Sequence, residues 1–301
     1  MNLEGVVIVG PGRMGLALGD ALERSGEVRH LTFYGRHPEP PSHPLFLQGR
    51  ARYVFGVEPV ERDTSVVLLA VPDDVVPEMA FTVAAHGRAP SGCAAFHLSG
   101  ALPTDVLGPL HEEGYAVGAL HPLVSVTDRL DGADRLSGAF FAVTGASEAL
   151  AVARRLTAAI DADVVGVPAA RRPLFHAAAA LAGGQVVPIL ALTARLMERA
   201  GVSGDEVLPV LLSLVRDTMR RVEEDGLSGS LPESLARADL ETISLHLRAL
   251  DHEDQRLYAV LGLEMLRLAG APMDVAGDPD AGDAREAVRE LLARHAEMQS
   301  T

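Results

Sequence analysis

Short runs of apolar, largely β-branched residues recur through the first half of the chain, at Val6–Val9, Leu31–Tyr34, Val66–Val71, Ala94–Leu98, Ala116–Leu120, Phe140–Thr144 and Val164–Val167. Between them, apolar positions recur at a helical period over Met14–Ser25, Val75–Ala85, Thr104–Glu113 and Glu148–Ile160. Strands that are apolar throughout have no solvated face, so this alternation predicts a parallel sheet covered by helices on both sides, a doubly wound α/β domain. The pattern changes near Pro168. From Ala169 onward no strand is expected, and helices are predicted over 171–200, 203–225, 239–251, 254–269 and 282–298. Gly201 stops one helix, Gly226–Pro232 reads as a loop, and 270–281 reads as a linker to the last helix. The predicted domains are 1–168, α/β, and 169–301, all-α.

Composition narrows the function classes. The chain has 301 residues, 48% hydrophobic and 22% charged, enough apolar material for two cores without disulfides or a structural metal. Aromatics are 4% and Trp is absent, which disfavours base-stacking platforms for single strands. The net charge of −15 repels nucleic acid and anionic membranes, so no nucleic-acid or membrane partner is expected, and an anionic ligand must be held by local devices. Cys93 is the single cysteine, which excludes an internal disulfide and a cysteine zinc site and suits a reducing cytoplasm. Met1–Gly10 lacks a signal-peptide pattern. The apolar stretch Phe175–Leu192 is interrupted by His176, Gln185 and Pro188, and reads as a buried helix, not a membrane span. His246 and His252 have no zinc-ligand spacing, so no metal is expected. Neither a G-x-S-x-G elbow nor a G-K-[S/T] loop occurs.

The segment Gly10-Pro11-Gly12-Arg13-Met14-Gly15 ends the first strand and opens the first helix, the context in which G-x-G-x-x-G carries weight. Gly10 permits the turn, Gly12 lets backbone approach a pyrophosphate, and Gly15 lets the helix pack closely on the strand. The unpaired N–H groups of the helix start favour phosphate. This makes the first domain a Rossmann-type dinucleotide-binding unit. An NAD-selecting site places Asp or Glu at the end of the second strand, but here Gly35 and Arg36 stand there. A guanidinium forks onto a 2′-phosphate, and Arg13 adds a second cation, so the expected cofactor is NADP(H). The plain alternative for Arg36 is a solvated surface arginine. Val71 and Pro72 should line the nucleotide, while Asp73 or Asp74 caps the next helix.

His97-Leu-Ser99-Gly100 and His121-Pro-Leu-Val-Ser125 follow two further strands, at the edge where ligands bind in such sheets. Reducing a C=O or C=N needs a proton donor, and histidine suits that task near neutral pH. His121, its turn stiffened by Pro122, is the first acid–base candidate and His97 the second. Ser99 is expected to donate a hydrogen bond to substrate or to the nicotinamide amide, and Gly100 to allow close approach. His176 shares a helical face with Ala180, Gly183 and Gly184. That face serves either tight packing or a substrate surface across the interdomain cleft.

Together, Gly10/Gly12/Gly15, Gly35-Arg36, Val71-Pro72-Asp73, His97–Gly100, His121–Ser125, Phe175-His176, Arg237-Ala-Asp239 and His246–Leu250 resemble the bacterial Rossmann-like oxidoreductases whose helical C-terminal half is a domain of unknown function. Relatives of that family include 6-phosphogluconate dehydrogenase, pyrroline-5-carboxylate reductase, prephenate dehydrogenase and the deazaflavin-dependent NADP reductases. The resemblance spans residues 5–265. It implies a helical domain like the C-terminal one of 6-phosphogluconate dehydrogenase and a homodimer formed through it. Prephenate dehydrogenases carry a similar His-Pro pair in which the histidine meets substrate, which implies that role for His121. The family often has Ser-Asn where Gly183-Gly184 stands, and related β-hydroxyacid dehydrogenases carry Lys and Asn on this helix, where no lysine is present here.

The leading expectation is an NADP(H)-dependent oxidoreductase acting on a small carbonyl, imine or hydroxy acid bound between the domains. The rival is a non-catalytic NADP(H)-binding dimer that senses redox state. A vestigial scaffold, the third reading, would bind no nucleotide.

Overall fold

The structure, a computed structural model, describes residues 3–231, 237–269 and 281–297. The chain divides into two compact units, Met1–Gly184 and Gln185–Thr301.

The first unit is built on one eight-stranded sheet: β1 (Leu3–Val9), β2 (Val28–Gly35), β3 (Arg52–Phe55), β4 (Thr64–Leu69), β5 (Ala94–His97), β6 (Ala116–Pro122), β7 (Phe140–Gly145) and β8 (Asp163–Gly166). Their order is β3-β2-β1-β4-β5-β6-β7-β8. The order reverses between β1 and β4, which is where doubly wound sheets open a crevice for ligands. Helices α1 (Arg13–Arg24) and α5 (Ser147–Ala158) cover one face, burying Leu16, Leu18, Leu22, Val152 and Leu156 against Ile8, Phe33 and Phe96. On the other face α3 (Val76–Ala84) and the segment through α4 (Gly108–Glu112) bury Val76, Ala80, Leu107 and Leu110. A four-residue helix, α2 (Pro44–Leu47), precedes β3.

Three sequence expectations need correction here. The sheet is not wholly parallel, because β7 runs antiparallel to β6. Strand β3 is not among the strands the sequence predicts: Arg-Tyr-Val-Phe buries Val54 and half-buries Tyr53 between exposed ends, too short a pattern to read. The helix expected over 104–113 is a 3-10 turn, Thr104–Leu107, followed by α4, which starts at the Gly108-Pro109 pair.

Helix α6 (Arg172–Gly183), entered through a 3-10 turn at Ala169–Arg171, falls in the first unit. The single helix expected over 171–200 is broken at Gly184-Gln185, where glycine is a poor helix former, and α7 (Val186–Arg199) starts anew. The second unit continues with α8 (Gly204–Gly229), α9 (Leu240–Ala249), α10 (His252–Leu268) and α11 (Ala281–Ala296). Helix α8 runs past its expected end at 225, but across a kink: Gly226 has φ +72°, in the left-handed region. No strand occurs after Gly166 among the described residues. The linker expected at 270–281 lies, up to residue 280, outside the described residues. The helical unit's core is small, formed by Ala238, Ile243, Leu247, Ala259, Val288 and Leu292.

Candidate functional site

The loop after β1 is shaped by what its glycines exclude. Gly10 has φ +103°, and a Cβ there would stand 2.5 Å from the Ala70 carbonyl oxygen and 3.0 Å from Val71 Cγ1. The loops after β1 and β4 therefore touch at Gly10, Ala70 and Val71, with Pro72 exposed just beyond. A Cβ on Gly15 would collide with the Gly10 carbonyl, so only glycine lets α1 start this close to β1. Gly12 is the opposite case, with no heavy atom within 4 Å of where its Cβ would lie. It is the N-cap of α1, whose start has no side-chain cap and no acid in its first turn. The backbone N–H groups of the first turn, at Arg13, Met14 and Gly15, are thus left for an anion. The Met14 side chain itself packs against the core. Pro11 is half-buried.

At the end of β2 a Cβ on Gly35 would collide with Tyr53 of β3, whose hydroxyl donates to the His37 carbonyl at 2.6 Å. Tyr53, which the sequence did not single out, so fixes the segment that carries Arg36. Arg36 and Arg13 are both exposed, and neither forms an ion pair among the described residues.

Along the sheet edge the four histidine- and serine-borne candidates separate. His97, the last residue of β5, is fully buried. Burial first, and the neighbouring Arg172 cation second, hold its pKa down at about 4. A neutral ring sealed in the core cannot meet substrate, so the expectation for His97 is corrected to a core residue. Ser99 is also corrected. Its one proton is donated to Asp73 Oδ2 at 2.7 Å, and its oxygen accepts from Ala101 N and Leu102 N at 3.1 and 3.0 Å. The expected helix cap at Asp73 or Asp74 is absent: Pro72 precedes the 3-10 turn Asp73–Val75 with no side-chain cap, and the Asp73 carboxylate instead ties the loop after β4 to the loop after β5.

His121 lies within β6, not after it. Antiparallel pairing with β7 (Leu120 with Val143, His121 with Ala142, Pro122 with Phe141) carries β6 beyond the end of β5. The ring reaches back, Nδ1 lying 3.0 Å from the Leu98 carbonyl oxygen. A carbonyl only accepts, so Nδ1 holds the proton and Nε2 carries the lone pair in the neutral ring. Burial chiefly lowers its pKa, with His176 and Arg172 adding to the effect, while the Leu98 bond and Asp73 oppose it. The His121 and His176 rings meet edge to face, with centroids 5.3 Å apart and planes at 78°. Gly100 fits between them: a Cβ there would be 2.8 Å from His121 Nε2 and would collide with His176 Nδ1, a buried atom without a hydrogen-bond partner.

Arg172 is not singled out by the sequence. It is 3% exposed, and its guanidinium donates to the carbonyls of Ser99 (2.7 Å), Gly100 and Leu102 (3.3 Å each) and to Thr144 Oγ1 (3.3 Å). The signal that could have marked it is a cation at the first position of a helix, where acids are favoured. Elsewhere the Cys93 thiol is buried and its pKa is pushed up to about 12, so it is no nucleophile. No cluster of three metal-ligating side chains occurs among the described residues.

Residues 3–122 match the Rossmann-like domain, and residues 139–265 match DUF2520, a domain of unknown function. The chain thus carries a Rossmann-like match followed by a DUF2520 match. No curated protein matches it. The chain is similar in fold to BF3122 from Bacteroides fragilis, at 21% identity over 88% of this chain and 98% of that one, TM-score 0.68. It is also similar to TM1727 from Thermotoga maritima, at 16% identity over 97% and 98%, TM-score 0.62. A third likeness is to Plasmodium falciparum pyrroline carboxylate reductase with NADP bound, at 13% identity over 98% and 99%, TM-score 0.55.

Proposed function

We propose that this protein is an NADP(H)-dependent oxidoreductase moving hydride to or from a small carbonyl, imine or hydroxy acid. The observation that carries the reading is the His121–Gly100–His176 cluster. It stands on the same sheet edge as a helix start with no cap of its own. The residues fit the cofactor. Gly12 leaves space at the α1 N-terminus, and Arg13 and Arg36 are exposed cations without ion partners among the described residues. Arg13, Met14 and Gly15 would hold the pyrophosphate by their backbone, and Arg36 the 2′-phosphate. NADP(H), when bound, supplies or takes the hydride. The chain's own part is the proton. His121 Nε2 accepts it from a hydroxyl or amine being oxidised and returns it in the reverse direction. Gly100, lacking a side chain, leaves that nitrogen room, and the Leu98 carbonyl holds the tautomer. The NADP-bound reductase of similar fold supports testing this cofactor first.

The rival, a non-catalytic NADP(H)-binding dimer, draws on two facts. The Ser99 proton is already committed, and none of the 26 basic residues is lysine, so no amine stands in for the one its relatives use. His121→Asn should abolish turnover under the first reading and leave NADPH binding intact under both.

Titration with NADPH and NADH by nicotinamide fluorescence, repeated with Arg36→Ala, is the deciding experiment. Micromolar NADPH binding that weakens in the variant supports the assignment. Equal affinity for both nucleotides removes Arg36 as selector, and no binding of either removes the oxidoreductase reading.

Two further proposals concern setting. The lone buried thiol suits the cytoplasm. The helical unit forms a homodimer. Ala169–Arg199 passes as a membrane-crossing helix by length and composition, but it is broken at Gly184-Gln185, and Leu174, Leu181, Val186 and Val187 lie exposed along it, as a dimer surface requires.

A further inference from the structure

We propose that Arg172 is a positioning residue that assembles the His121–Gly100–His176 cluster, its guanidinium holding the 99–102 loop to the start of α6. The reading of what the cluster acts on rests on the proposed function; its assembly does not. Four acceptors on two elements receive this one side chain: the carbonyls of Ser99, Gly100 and Leu102 after β5, and Thr144 Oγ1 of β7. Thr144 passes the restraint on, donating to the Val167 carbonyl at 2.6 Å. Stability alone does not account for such a residue. Arg172 opens α6, where the helix dipole disfavours a cation, and α6 has no acid in its first turn. It forms no ion pair among the described residues, and burial lowers its pKa.

The gain is geometric. His176 lies four residues after Arg172, one turn along the same helix face. Fixing the helix start therefore fixes the His176 ring, and the pinned carbonyls are those of Ser99 and Gly100, on either side of the contact. Only a fork of donors serves all four acceptors; an ammonium does not. The charged and titratable groups that face His121 are Asp73, His97, His176 and Arg172, and His97 also lies beside Arg172. Removing the cation must raise the protonation midpoint of His121.

The test is NMR on the full chain labelled with 15N-histidine, with buried His43, whose ring meets the Arg129 carbonyl, as control for the native fold. Arg172→Gln is expected to move the His121 midpoint upward and to abolish the ring-to-ring nuclear Overhauser contact between His121 and His176. Arg172→Lys keeps the charge, so the midpoint stays nearer that of the unsubstituted chain while the ring contact is still lost. An unchanged midpoint and contact in both variants overturns the proposal, as does loss of the native His43 signal in both. Should only Arg172→Gln unfold, the ring contact in Arg172→Lys decides. NADPH binding to the unsubstituted chain is measured alongside. Its failure removes the oxidoreductase reading and leaves the positioning result standing.

Discussion

The sheet unit buries large apolar side chains on both faces, Phe33, Phe96 and Phe141 on one and Leu69, Leu110 and Tyr115 on the other, whereas in the helical unit α7 buries no residue and α8 only Val207 and Leu211. Leu208, Leu214 and Met219 of α8 are each more than half exposed. Parallel strands need helices on both faces, and one chain supplies them all. Amphipathic helices can instead share their apolar faces with another molecule. The contrast separates a unit that completes its own core from one that does not.

The largest expected effect tests the first half of that contrast. Phe96→Ala should cost about 3–5 kcal/mol in urea unfolding. Leu214→Ala should cost no more than about 0.5 kcal/mol in a monomer. A comparable loss at both positions would show that something covers α8. Next comes acid. The unfolded chain protonates His97 near 6.5, the folded one near 4, so the unfolded state binds more protons between those values. Stability is full above pH 6.5 and should fall by roughly 3 kcal/mol as the pH drops towards 4. In His97→Leu, unfolding free energy measured across that window should be flatter, and an unaltered slope would assign the pH dependence elsewhere. Third, Arg36→Ala should weaken NADPH roughly 10- to 150-fold, the loss of a charged hydrogen-bond pair, and leave NADH alone, as read by titration. The smallest structural change, Leu208→Glu with Leu214→Glu, should leave the sheet unit's circular dichroism intact and turn a dimer into a monomer in sedimentation velocity. A chain that is monomeric before substitution breaks that half of the comparison.

The steric part of the molecule was the legible part. Gly10 and Gly15 announce themselves because a Cβ at either would strike backbone, and their spacing between a strand and a helix is a local pattern. Alternating apolar runs announce the sheet for the same reason. What escaped depends on partners distant in sequence. Ser99 looks like a free hydroxyl until Asp73, 26 residues away, takes its proton. His97 and His121 both look like strand-end residues, His121 the better placed, until β7, pairing antiparallel, extends β6 and leaves β5 short. Arg172 carries no local signal of its four acceptors, the nearest 28 residues off in the chain. Strand β3 was missed because four residues with one buried side chain carry almost no periodicity.

Gly100 has a use apart from any reaction. Where another residue would carry Cβ, it carries a hydrogen, directed at two imidazole rings. Aromatic rings displace the resonance of nearby protons in proportion to distance and angle, and protonation alters the field they cast. The α-proton signals of Gly100 are thus a built-in gauge of the histidine pair. They can be followed through a pH series or a nucleotide titration in the unaltered protein, with no probe attached and no substrate known.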